Sequence, residues 1–147
     1  MEERFRFFSP VQVRYADTDA QGRVFFANYL TYFDMARNEY FKAIGFPYRA
    51  LLERGLDFFE VESLCQYRSG AFFDEVLQVH ARIERIGNTS FTTRFAIHEQ
   101  ASGRLICRGH IVAVTVDRET ERPVRAPDAL RRAVEAYEPE GTLGGPS

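Results

Sequence analysis

No window of this sequence approaches the roughly 20 consecutive apolar residues needed to span a bilayer, and the opening MEERFRFF has no apolar segment followed by a small-residue cleavage site. The expectation is a cytoplasmic protein with no membrane insertion. Lysine is almost missing: Lys42 stands alone against eighteen arginines. With a formal net charge of -2 and the arginines dispersed along the chain, no global field favours nucleic acid. Local phosphate sites stay open, because arginine grips phosphate through a planar fork. Cysteine is scarce too. Cys65 and Cys107 fall in separate candidate strands without a CxxC or Cys-His pattern, so they read as reduced core thiols. His80, His98 and His110 lack HxxEH-like spacing, and Ser63, Ser69 and Ser90 lack a nucleophile elbow. There is no GxGxxG or phosphate loop. A metal triad, a serine hydrolase and a nucleotide-dependent enzyme are all disfavoured, and no metal is expected. Asn88-Thr89-Ser90 matches a glycosylation triplet that has no meaning without secretion.

What the sequence does have is aromatic mass, with fourteen Phe and seven Tyr in a composition 45% hydrophobic and 27% charged. That composition folds, and 147 residues suit one domain. No repeat or linker divides it. The reading is a single domain over residues 1–140 and a loose tail at 141–147, EGTLGGPS marking the end.

Phe5, Phe7, Val11, Val13 and Tyr15 share one parity of a first strand that Pro10 interrupts or bounds. After the turn Asp17–Gly22 and a short Val24-Phe25-Phe26 link, Asn28 is the candidate cap of a helix. Tyr29, Phe33, Ala36, Tyr40 and Ile44 recur at helical spacing, with Leu30, Tyr32, Met35 and Phe41 widening the apolar surface and Asp34, Arg37, Asn38, Glu39 and Lys42 on the wetter side. Gly45 and Phe46-Pro47 end it, and a short helix follows from Tyr48 to Arg54. From Phe58 onward the pattern is extended. Strands are predicted near 58–68, around Leu77, Val79, Ala81 and Ile83, around Phe91, Thr93, Phe95 and Ile97, and from Leu105 to Val116. The last is apolar on both faces, as in a central strand or a subunit contact, and its Gly109 permits a close approach. Asp128 caps a final short helix through Tyr137. The class is α+β, a sheet covering one dominant helix, and its open edges make a homo-oligomer reasonable.

The turn Asp17-Thr18-Asp19-Ala20-Gln21-Gly22 begins like a calcium loop but has Asn28 at its twelfth position and follows a strand. Either aspartate suits a turn, bonding backbone amides. The string RYADTDAQGRVFFANYLTYFDMARNEYF, with its Asp-x-Asp pair, nearby Gly, Val-aromatic step and Asn-Tyr opening the helix, resembles the signature of the hot-dog-fold acyl-CoA thioesterases, the 4-hydroxybenzoyl-CoA thioesterase and YbgC-like group. The later strand order and ERPVRAP before the last helix are similar to that group as well.

The resemblance implies a curved antiparallel sheet wrapped around a long central helix, assembled as a homodimer or homotetramer. It implies hydrolysis of an acyl-CoA thioester to carboxylate and CoA. Asp19 would act as nucleophile or general base and the backbone amide of Phe26 would polarise the carbonyl; Gly22, Val24, Asn28 and Tyr29 would line the substrate. Some relatives have histidine where Phe26 stands, so the Phe26 side chain is given no catalytic role. No cofactor is implied, since CoA is part of the substrate, and an acyl-carrier-protein thioester is the other carrier. Arg82, Arg85, Arg104 and Arg108 are candidates for the CoA phosphates. The competing readings are a noncatalytic module binding acyl-CoA or acyl-carrier protein, and a hot-dog dehydratase, against which the missing histidine argues.

Overall fold

The computed structural model describes residues 4–138, so the expected tail at 141–147 and the domain limit at 140 lie outside the described residues. Strands β1 (Phe7–Gln12), β2 (Leu56–Tyr67), β3 (Val76–Ile86), β4 (Ser90–Glu99) and β5 (Leu105–Asp117) form one antiparallel sheet in the order β1-β3-β4-β5-β2. Helix α1 (Asn28–Ala43) lies on its inner face, α2 (Tyr48–Glu53) follows, and α3 (Asp128–Tyr137) closes the described chain.

Alternation explains the sheet. On β3, Leu77, Val79, Ala81 and Ile83 are buried under α1, while Gln78, His80, Arg82 and Glu84 occupy the outer face. Phe91, Thr93, Phe95 and Ile97 continue the inner surface on β4. The helix meets this surface with Tyr29, Phe33, Ala36 and Tyr40, as its spacing predicts, and Phe33 stacks on Phe95 with ring centroids 4.5 Å apart. Met35 is exposed, and Arg37, expected on the wet side, is buried. Burial of that cation is offset by Asp34 at 3.1 Å, Glu60 at 2.8 Å and the Phe58 ring at 4.8 Å.

The first strand is shorter than its parity suggests. It ends at Gln12, and Tyr15 sits in a 3-10 turn, 79% exposed. Pro10 stays inside β1, opposite Gln78, because an edge strand has one side free of ladder bonds. Asp128 is the first residue of α3, Pro127 holding the cap position, and its carboxylate pairs with Arg125 at 3.2 Å. At the other edge β2 is exposed from Phe59 to Tyr67 except at Cys65. Gly109 fulfils its expected role: a Cβ there would stand 1.9 Å from the Leu64 carbonyl oxygen.

Candidate active site

Between β1 and α1 the chain folds the acidic turn into a miniature hairpin. Thr18 bridges Val24, Arg23 bridges Phe72, the Asp19 N–H donates to the Arg23 carbonyl at 2.9 Å, and the Gly22 N–H returns to the Asp19 carbonyl at 2.9 Å. Gly22 adopts φ +80°, which its missing Cβ makes inexpensive. The Gln21 N–H fixes the Asp19 carboxylate by donating to Oδ1 at 2.8 Å. Among the described residues no donor reaches its other oxygen. Asp19 is half-buried.

The two aspartates are separated by environment. Asp17 is buried and accepts the Arg14 backbone N–H at 3.1 Å, the Arg14 guanidinium at 2.8 Å and the Tyr32 hydroxyl at 2.8 Å. Burial on its own would raise the Asp17 pKa, but these bonds prevail and hold it below the usual carboxylate range. Of Arg14 and Arg23, the arginines flanking the turn, Arg14 is the one paired with Asp17. The Asp17 carbonyl accepts both the Phe25 N–H and the Asn28 Nδ2, each at 2.9 Å. Asn28 is therefore not the helix cap. Ala27 occupies that position, and the Asn28 side chain instead ties α1 back to the turn.

This stitching leaves the Phe26 N–H at the mouth of α1 with no acceptor among the described residues. Phe26 precedes the Ala27 cap by one residue, so this free donor sits beside the helix N-terminus, where the macrodipole favours negative charge. The Phe26 ring is 59% exposed, 4.9 Å from that of Phe25 and 6.2 Å from that of Tyr67. Tyr67, at the end of β2, donates its hydroxyl to the Phe26 carbonyl at 3.4 Å.

The remaining expected site residues divide into support and periphery. Val24 and Tyr29 belong to the core behind the junction: the Val24 N–H donates to the Ala71 carbonyl at 2.8 Å, and the Tyr29 hydroxyl accepts the Ala71 N–H at 3.2 Å. Burial pushes the Tyr29 phenol up to about 12. The four arginines are not brought together. Arg104 is bonded to the Gly70 carbonyl and to Glu75, beside the segment that the hairpin joins. Arg82 lies over the Phe5 ring, and Arg108 stands opposite Ala96 and Gln66, both on the outer face of the sheet; Arg85 is exposed beyond the β3 irregularity. Tyr32 and Tyr67 were not singled out by the sequence. Tyr32 carried only a core signal, and Tyr67 reaches Phe26 from 41 positions away.

A cavity of about 510 Å³ opens along the opposite half of α1, lined by residues that include Asp34, Arg37, Phe41, Tyr48, Phe58 and Glu60; none of its lining residues belongs to the acidic turn.

Against known proteins, the family model described as the thioesterase-like superfamily matches residues 13–134. The chain is 30% identical over 128 residues to the acyl-CoA thioesterase YbgC of Haemophilus influenzae, covering 86% of this chain and 93% of that one. It is 29% identical to the Escherichia coli acyl-CoA thioester hydrolase YbgC over 82% and 90% of the two chains. Among solved structures, a Thermus thermophilus protein superposes with a TM-score of 0.80 at 29% identity, covering 88% and 97%. The DHNA-CoA thioesterase of Staphylococcus aureus superposes at 0.82, over 91% and 93%; at 24% identity it speaks to the fold.

Proposed function

Because the chain belongs to the thioesterase-like superfamily, we propose that it hydrolyses acyl-CoA thioesters to a carboxylic acid and CoA, with Asp19 and the Phe26 amide as the reacting machinery. The observation that carries this reading is the unpaired Phe26 N–H just ahead of α1, in a segment stitched to the turn that bears Asp19.

Thioester hydrolysis needs a nucleophile at the carbonyl carbon and stabilisation of the oxyanion that forms. The Phe26 N–H supplies a fixed donor at the positive end of a helix, and the Asp19 carboxylate has an oxygen free to act. Two routes fit. In one, Asp19 attacks the carbonyl, CoA thiolate departs, and water opens the mixed anhydride. In the other, Asp19 takes a proton from water as that water attacks. Thiolate is a good leaving group, so neither route needs a second acid. Asn28 and Gly22 shape the junction, with Val24 and Tyr29 bracing it from the core side.

The exposed β2 edge favours a homodimer formed by antiparallel pairing of two β2 strands. Such pairing brings the Tyr67 end of one strand to the Leu56 end of the other. The Phe26 junction of one chain then lies beside the cavity near Phe58 and Glu60 of its partner, which offers room for an acyl group. Two such dimers make the homotetramer. The proposed location is the cytoplasm, with CoA the carrier and no cofactor.

The test is thiol release from short, medium, branched and aromatic acyl-CoAs, with an acyl-carrier-protein thioester in parallel. Turnover of at least one acyl-CoA is expected. Saturable binding without thiol release, even at excess protein, would replace the hydrolase by a binding module. Double-bond formation in a hydroxyacyl thioester would replace it by a dehydratase.

A further inference from the structure

Cys65 on β2 and Cys107 on β5 occupy neighbouring strands whose register pairs Cys65 with Gly109 and Tyr67 with Cys107. Directly paired residues of an antiparallel ladder share a face, so both thiols lie on the α1 side of the sheet, one diagonal step apart. The residue facing Cys65 contributes no side chain and has no room for one, since a Cβ at Gly109 would meet the Leu64 carbonyl oxygen at 1.9 Å. Cys65 therefore has Cys107 as its cross-strand neighbour. Both are free cysteines with unequal access: Cys107 is fully buried and Cys65 half-buried. The neighbouring Cys107 thiol lowers the Cys65 pKa, burial opposes, and the Tyr67 hydroxyl adds to the lowering; the proximity of Cys65 and burial push the Cys107 thiol up.

We propose that Cys65 and Cys107 form an oxidative modification site, in which a hydroperoxide oxidises Cys65 and Cys107 then closes an intrachain disulfide between β2 and β5. In the first step the Cys65 thiol gives up its proton, the thiolate sulfur takes the terminal OH of the hydroperoxide as the O–O bond breaks, and the departing alkoxide or hydroxide picks up a proton to leave as alcohol or water. Sulfur is oxidised to the sulfenic acid and the peroxide is reduced. In the second, the Cys107 sulfur attacks the Cys65 sulfur, an S–S bond replaces the S–O bond, and the Cys107 proton leaves with hydroxide as water. One hydroperoxide is consumed and two thiol hydrogens are lost. Exposure assigns the order, the accessible thiol reacting first and the buried one resolving it. None of this depends on the hydrolase reading.

The experiment treats the reduced full-length protein with equimolar hydrogen peroxide, blocks remaining thiols with N-ethylmaleimide, and reads intact mass and non-reducing peptide maps. The expected result is loss of both free thiols, a mass lower by two hydrogens, one Cys65–Cys107 cross-linked peptide within a single chain, and reversal by dithiothreitol. Cys107→Ser should halt at the Cys65 sulfenic acid, trapped by dimedone, and Cys65→Ser should leave Cys107 unoxidised. The wild-type measurement stands even if a variant fails to fold. Addition of two or three oxygens to Cys65 while Cys107 remains free, a bridge between chains, or no reaction of either thiol would each overturn the proposal.

Discussion

Two aspartates a single residue apart serve different ends because one faces inward and the other does not. Asp17 spends its carboxylate on Arg14 and Tyr32; Asp19 keeps one oxygen unbonded. Asp17→Asn should destabilise the protein by about 1–3 kcal/mol, the range for losing hydrogen bonds to a buried charged group, read from urea unfolding. The pH dependence has a definite sign. A carboxyl held below its unfolded pKa of about 3.9 contributes stability above that pH and loses it as pH falls through the lower folded value. The wild type should therefore lose more stability than Asp17→Asn on acidification below about pH 4; parallel curves would contradict the clamp. The pair was visible in the sequence, yet its division of labour was not. Spacing shows that Asp17 and Asp19 share a turn, whereas the Tyr32 hydroxyl that fixes Asp17 comes from a helix position that periodicity marked only as core.

At the level of elements, alternation made β3 and β4 legible, since each buries one clear face, while the long apolar run of β5 and the helical spacing of α1 marked those two. The errors fall where a tertiary partner overrides a local rule. Arg37 on α1 is drawn inward by Glu60 on β2, and Asn28 gives up capping for the Asp17 carbonyl. Gly109 offers a test of strand approach. Gly109→Ala should force β2 from β5 and lower stability by about 1–3 kcal/mol, seen as a drop in Tm. An unchanged Tm would mean that the strands do not approach so closely. On the outer face, His80 contacts Phe5, Phe8 and His98, and burial followed by the His98 charge depresses its pKa to about 4. Between the unfolded value of about 6.5 and that folded value, the unfolded chain binds a proton that the folded chain refuses. Stability should fall as pH drops through this window, and His80→Phe should flatten the fall when thermal unfolding is followed from pH 7 to 4. An equal decline in both proteins would remove His80 as the cause.

For the whole molecule, the strand and helix patterns and the motif pointed to an α+β class, and the five-stranded antiparallel sheet with its helix agrees. The sequence pattern did not show that β2 would be the open edge, because strand order depends on pairings between distant segments. That edge exposes Val61 by 60% and Leu64 by 41%. If two copies pair there, Val61→Glu with Leu64→Glu should convert a dimer or tetramer to monomers in sedimentation analysis; a wild-type monomer would contradict the pairing. Activity should fall with assembly if the partner's cavity receives the acyl group. The decisive measurement is kcat/KM for CoA release by wild type and Asp19→Asn on the best acyl-CoA found, with circular dichroism on both. The expected result is a loss of about 100- to 10,000-fold with an unchanged spectrum. Undiminished turnover by a folded Asp19→Asn protein would contradict the mechanism.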